Sequence, residues 1–104
     1  MDRKFEISVK NGSLTEIMLD GEFDIMSAKN LKIILERVTR AANTDVVINC
    51  EQLTYIDSVG INLLVKNQVI MNNKGLHIYL INANRNIRKL FSIINLLDTF
   101  EMAS

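Results

Sequence analysis

The sequence predicts an α/β domain built on a mixed β-sheet, with an N-terminal hairpin and helices packed mainly on one face. Three observations carry that expectation. Phe5, Ile7 and Val9 alternate with polar residues and run into Asn11-Gly12, a strong hairpin signal between two apolar runs. Two short continuous apolar runs, Val46-Val47-Ile48 and Leu76 to Ile81, have the character of strands covered on both faces. Stretches of helical period lie before, between and after those runs, and strand-helix-strand units impose parallel pairing.

Taken in order, the first strand is one-sided, and Asn11 and Gly12 are expected to turn with positive φ. The run Leu14 to Leu19 is apolar on both parities, so it belongs deeper in the sheet. Ser27 is placed to cap a helix whose inner stripe is Leu31, Ile34, Leu35, Val38 and Ala42. Asn43-Thr44-Asp45 breaks that pattern ahead of the Val46 strand. A second helix is expected from Ser58 to Asn73, with Ile61, Leu64, Val65 and Val69 inward. Gly75 introduces the last predicted strand. A third helix starts near Asn84 or Asn86 with Ile87, Leu90, Phe91 and Ile94 inward, and Leu97 and Phe100 anchor the C-terminal segment.

The length of 104 residues suits one domain over 1–104, and 48% hydrophobic residues suffice for a continuous core. Twelve basic and twelve acidic side chains cancel. That balance argues against nucleic-acid or anionic-membrane partners, which need a basic excess, and permits weak self-association. The start Met1-Asp2-Arg3-Lys4 is no signal peptide, and no apolar run approaches the ~20 residues of a membrane span. With Cys50 the sole cysteine, no internal disulfide forms, which suits the reducing cytoplasm. Cys50 itself follows a buried-type strand and is expected to be inert.

Catalytic sets are not visible. The sole histidine, His77, falls in a predicted strand, and no His/Cys cluster, phosphate loop or nucleophile elbow is present. The expectation is a protein without metal, cofactor or enzymatic activity. A hydrolase pairing Ser58 with His77 lacks its base geometry and oxyanion donors.

Two loops remain. Leu53-Thr54-Tyr55-Ile56 runs into Asp57-Ser58 and a helix begins at once, so Ser58 lies at or beside a helix N-cap. Residue chemistry alone favours an ordinary cap there. A phosphate on Ser58 would instead bring about −1.5 to −2 charges to a helix end that tolerates them, beside a carboxylate that repels them. Gly60, in the first turn of a helix, implies a close backbone approach. Gly21-Glu22-Phe23-Asp24 follows a preceding strand, so a crossover fold carries it to the same sheet end, where Asp24 and Asp57 would flank Ser58.

Those two motifs in that order, with Ala28 and Leu31, Val46-Val47-Ile48-Asn49 and Arg88-Lys89-Leu90-Phe91, resemble the STAS domain of anti-sigma factor antagonists over nearly the whole chain. The resemblance implies a mixed sheet with helices on one side. It implies phosphorylation of Ser58 by a serine kinase that doubles as an anti-sigma factor, binding of that kinase by the unphosphorylated form, and resetting by a PP2C-type phosphatase. It also places Gly21, Glu22, Asp24, Asp57, Val59 and Gly60 at the phosphosite or partner surface. The chain departs from the family pattern at Val59, at Gly60-Ile61-Asn62 and at Phe23. A second reading stands beside the first: a STAS scaffold or oligomerisation module in which Ser58 is never modified.

Overall fold

The computed structural model describes residues 4–93 and the backbone of 101–103. Chain order is β1 (Glu6–Asn11), β2 (Thr15–Glu22), a 3-10 turn (Ile25–Ser27), α1 (Ala28–Ala41), β3 (Val46–Tyr55), α2 (Ser58–Asn73), β4 (Ile78–Ile81), α3 (Arg85–Ile93) and β5 (Glu101–Ala103). The strands form one sheet in the order β1-β2-β3-β4-β5. β1 and β2 are antiparallel, and every later pair is parallel. Because spatial order follows chain order, right-handed crossovers put successive helices on the same face.

Burial agrees with that layering. Ile17 and Leu19 of β2 and Ile78 and Leu80 of β4 point into the core, while their alternate neighbours are half-buried. One core cluster joins these strands to Leu31 and Leu35 of α1, Ile61, Leu64 and Met71 of α2, and Ile87 and Phe91 of α3. The mixed sheet with helices on one face is therefore as expected.

Several local expectations need correction. The hairpin uses a three-residue loop, Gly12 to Leu14, closed by the Asn11–Thr15 pair, and neither Asn11 nor Gly12 has positive φ. A loop one residue longer than a two-residue turn removes the need for it. Leu14 is consequently an exposed loop residue. The Val46 run is the start of a strand of 10 residues rather than a short one. That strand continues through Glu51-Gln52 by a bulge, where the β2 partners step from Asn49 to Gln52 as β2 advances from Met18 to Asp20. The Asn49 side chain supports the bulge by accepting the Glu51 N–H at 3.0 Å.

In α2 the inner stripe is Ile61, Leu64, Gln68 and Met71, and Val69 faces solvent. Two buried amides make this possible. Gln68 donates to the Ile78 carbonyl at 3.1 Å and accepts its N–H at 2.8 Å, pairing with the first residue of β4 as a strand would. The Thr39 hydroxyl lies 2.8 Å from both Asn67 Oδ1 and the Leu35 carbonyl, while Asn67 donates to the Leu63 carbonyl at 2.8 Å. These partners offset the desolvation that normally keeps amides out of cores.

The last predicted strand loses its first two residues to a helix-ending turn. Gly75 N–H bonds to the Asn72 carbonyl at 3.0 Å and Leu76 N–H to that of Met71 at 2.9 Å, a Schellman stop for α2. His77 is thus an exposed residue between that turn and β4, its N–H held by Asp45 at 2.9 Å. α3 begins as expected after Asn84, which caps it by accepting the Ile87 N–H at 2.9 Å. Ile94, Leu97 and Phe100 lie outside the described residues, and β5 had no counterpart among the expected elements.

Candidate functional site

β2 and β3 run side by side in the same direction, so the loops that leave them emerge at one sheet end. A backbone bond ties the two exits together, Phe23 N–H donating to the Tyr55 carbonyl at 2.9 Å. Gly21 turns the chain with φ +90 and is buried, a conformation side-chain-bearing residues rarely adopt. Glu22 closes β2 opposite Tyr55. Phe23 then drops into the core, 2% exposed, with its ring edge-on to Phe5 at a centroid distance of 5.4 Å.

The Phe23 ring explains Gly60. A Cβ at position 60 would lie 2.6 and 2.9 Å from Ile56 Cγ1 and Cδ1 and 3.1 Å from Phe23 Cδ2. The close approach expected at Gly60 is therefore made by the side chains of these two loops.

The two aspartates act as caps. Asp57 is the N-cap of α2, its Oδ1 accepting from Val59 N at 3.0 Å and Gly60 N at 3.1 Å. Asp24 caps the 3-10 turn, its Oδ1 accepting both the backbone N–H and the hydroxyl of Ser27 at 2.9 Å. Ser27 was expected to cap α1 with its own side chain. It makes no such bond, because its hydroxyl is already committed to Asp24.

Ser58 is the first residue of α2 and is exposed. Its hydroxyl makes no hydrogen bond to a described residue. The capping oxygen belongs to Asp57, which leaves the serine oxygen directed to solvent at the positive end of a helix of 16 residues. Val59 beside it is 39% exposed and does not bury the hydroxyl.

The surroundings include apolar side chains that the sequence reading passed over. Ile25 and Met26 are 65% and 87% exposed, and Tyr55 and Ile93 are also open. Tyr55, Leu90 and Ile93 line a shallow cleft of about 240 Å³ that reaches Asp57 and Ser58. The available signal was phase: Ile25 and Met26 fall off the helical stripe that Leu31, Leu35 and Val38 define. Of the exposed apolar groups, Tyr55 and Ile93 border the cleft shared with Asp57 and Ser58.

Among the described residues no group of three or more His, Cys, Asp or Glu side chains gathers as a metal site. Cys50 lies inside β3 at 1% exposure, and burial pushes its thiol up to about 12.

The STAS domain family model matches residues 6–104. The chain belongs to the STAS domain family. It is 28% identical over 83 residues to the anti-sigma-B factor antagonist of Staphylococcus aureus, covering 80% of this chain and 77% of that one. The anti-sigma-B factor antagonist of Staphylococcus epidermidis is 25% identical over 91 residues, 88% of this chain and 84% of that one. Among solved structures, unphosphorylated SpoIIAA superposes with a TM-score of 0.77 at 22% identity, covering 97% of this chain and 89% of that one. The phosphorylated Bacillus form gives 0.72 at 22% identity over 97% and 92% of the two chains. An anti-sigma factor antagonist from Mycobacterium paratuberculosis gives 0.81 at 17% identity over 96% and 86%. At these identities the superpositions establish the STAS fold. No described helix is long and apolar enough to cross a membrane.

Proposed function

We propose that this chain, acting as one STAS domain over residues 1–104, is an anti-sigma factor antagonist that works by partner switching. The unphosphorylated form binds an anti-sigma factor that is also a serine kinase and so frees its target. Phosphorylation of Ser58 weakens that binding, a PP2C-type phosphatase restores it, and the exchange takes place in the cytoplasm. The chain does not itself catalyse a reaction. One observation carries the reading: the Ser58 hydroxyl is exposed and unbonded to described residues because Asp57 supplies the cap. A serine relieved of structural duty at a helix start is a ready phosphoacceptor.

The chemistry follows from that placement. A phosphate at Ser58 faces the free N–H groups and positive dipole of the first helical turn, so α2 accommodates it. The adjacent Asp57 carboxylate and the new dianion make a strongly negative spot beside the apolar groups Tyr55, Val59 and Ile93. A partner that buries those groups must then desolvate unpaired charge, which costs several kcal/mol and favours release. Gly21, Glu22 and Asp24 shape the neighbouring loop, and Gly60 lets the two loops pack.

The test uses Ser58→Ala and Ser58→Asp proteins as paired baits in native-cell lysate, read by mass spectrometry. A kinase-type ATPase captured by the alanine form and lost from the aspartate form is the expected result. Identical partners on both baits would refute the switch and leave a STAS scaffold.

A further inference from the structure

A groove lies at the opposite end of the sheet. It has a volume of about 470 Å³ and runs between the β1–β2 hairpin and the last turns of α1. That volume falls within the roughly 300–1,000 Å³ usual for small-molecule sites. Its origin is geometric. Val9 points to the helix-covered face, as its pairing with Ile17 requires, yet is 41% exposed. α1 stops at Ala41, short of covering the hairpin end.

The walls suit an acyl chain. Ile34, Val38 and Ala42 form one helical stripe, about 12 Å long at 1.5 Å per residue. Val9 faces them across the gap. One lining side chain suits an anion. Arg37 is the one charged side chain lining the groove, and its guanidinium makes no bond to a described residue. The C-terminal end of a helix normally repels anions. Here the Lys74 ammonium donates to the carbonyls of Thr39 at 2.9 Å, Arg40 at 3.2 Å and also Ala42, which neutralises that end.

We propose that this groove binds a single-chain carboxylate amphiphile of medium length, its chain against Val9 and Val38 and its carboxylate on Arg37. The site is separated from the Asp24 loop by the length of α1, about 20 Å. Occupancy is therefore independent of the state of Ser58.

The test is a ¹⁵N-amide NMR titration of the full chain with octanoate and, separately, with octanol. Octanoate should move amides of residues 9–15 and 41–44 and leave those around Ser58 in place. Arg37→Gln should weaken octanoate roughly two- to fivefold, the loss of one solvent-exposed ion pair. It should leave octanol binding unchanged. Ala41→Trp should fill the groove and abolish both, with a dispersed spectrum verifying the fold of each variant. Ser58→Asp should bind octanoate like the parent. Absence of localised shifts up to the solubility limit, shifts centred elsewhere, or equal octanoate affinity in Arg37→Gln would overturn the proposal.

Discussion

Replacing Gly60 with alanine sets two well-measured effects against each other. Helix propensity alone predicts a gain of about 1 kcal/mol, since glycine is a poor residue inside a helix. Packing predicts a loss. The new methyl would sit 2.6 Å from Ile56 Cγ1, a branch atom close to the main chain, in a residue that is 0% exposed. Phe23, at 3.1 Å and 2% exposed, blocks escape on the other side. Overpacking of a tight core costs about 1–3 kcal/mol. Any shift of the helix start also strains the 3.1 Å bond from Gly60 N to Asp57, and losing a cap costs about 1 kcal/mol. The losses exceed the gain by about 1–3 kcal/mol, and each kcal/mol lowers Tm by roughly 4–8 °C for a domain of this size. Scanning calorimetry measures it. Repeating the substitution in an Ile56→Ala background isolates the cause, because the clash is gone and the same change should be neutral or stabilising there. A Tm that is unchanged or raised in the single variant would falsify the packing account.

Further outcomes follow from other contacts. Asp57→Ala should lower stability by about 1 kcal/mol in urea denaturation, and Asp57→Asn should recover most of it, because an amide oxygen still accepts from Val59 and Gly60. Thr39→Val keeps the shape of the side chain but strands Asn67 Oδ1 in the core, with an expected cost of about 1–3 kcal/mol at unchanged m-value. Cys50 should be silent to a thiol reagent in the native protein near neutral pH and react at once in guanidinium. Its thiol is raised from 9.0 to about 12 in the folded state. The stability this contributes is complete below pH 9 and lost as pH climbs towards 12, so Cys50→Ala should decline less steeply than the parent across that window.

The elements were legible where periodicity was strong. Ser58 to Asn73 was read with its ends correct because Asp57 and Gly75 punctuate it chemically. The failures share a cause, namely side chains that substitute for the backbone or for each other. Val69 was put inward because it is apolar, although Gln68 occupies the inner stripe at the spacing of Ile61, Leu64 and Met71. An amide there is tolerated through bonds such as the two to Ile78, a partner ten residues away that periodicity cannot reveal. The expected strand ended at Ile48, whereas β3 runs on to Tyr55, because a bulge lets a strand carry polar residues such as Glu51 and Gln52 without changing its identity. At the site, the Asp57-Ser58 step was visible but the division of labour was not. Either residue is a good cap by composition, and geometry alone assigns the capping oxygen to Asp57.

The one-to-one match between position in the sheet and position in the chain has a consequence for synthesis. Each parallel strand pairs with a neighbour that precedes it in the chain and so has already left the ribosome, beginning from a hairpin whose two strands are adjacent in sequence. Growth by addition at a single free edge involves no threading and no waiting for a distant partner, which keeps loop-closure costs low at every stage. It also means that a nascent chain always presents its newest strand as an unpaired edge. Until the next helix and strand arrive, that edge is the point at which a stalled polypeptide is open to pairing with another.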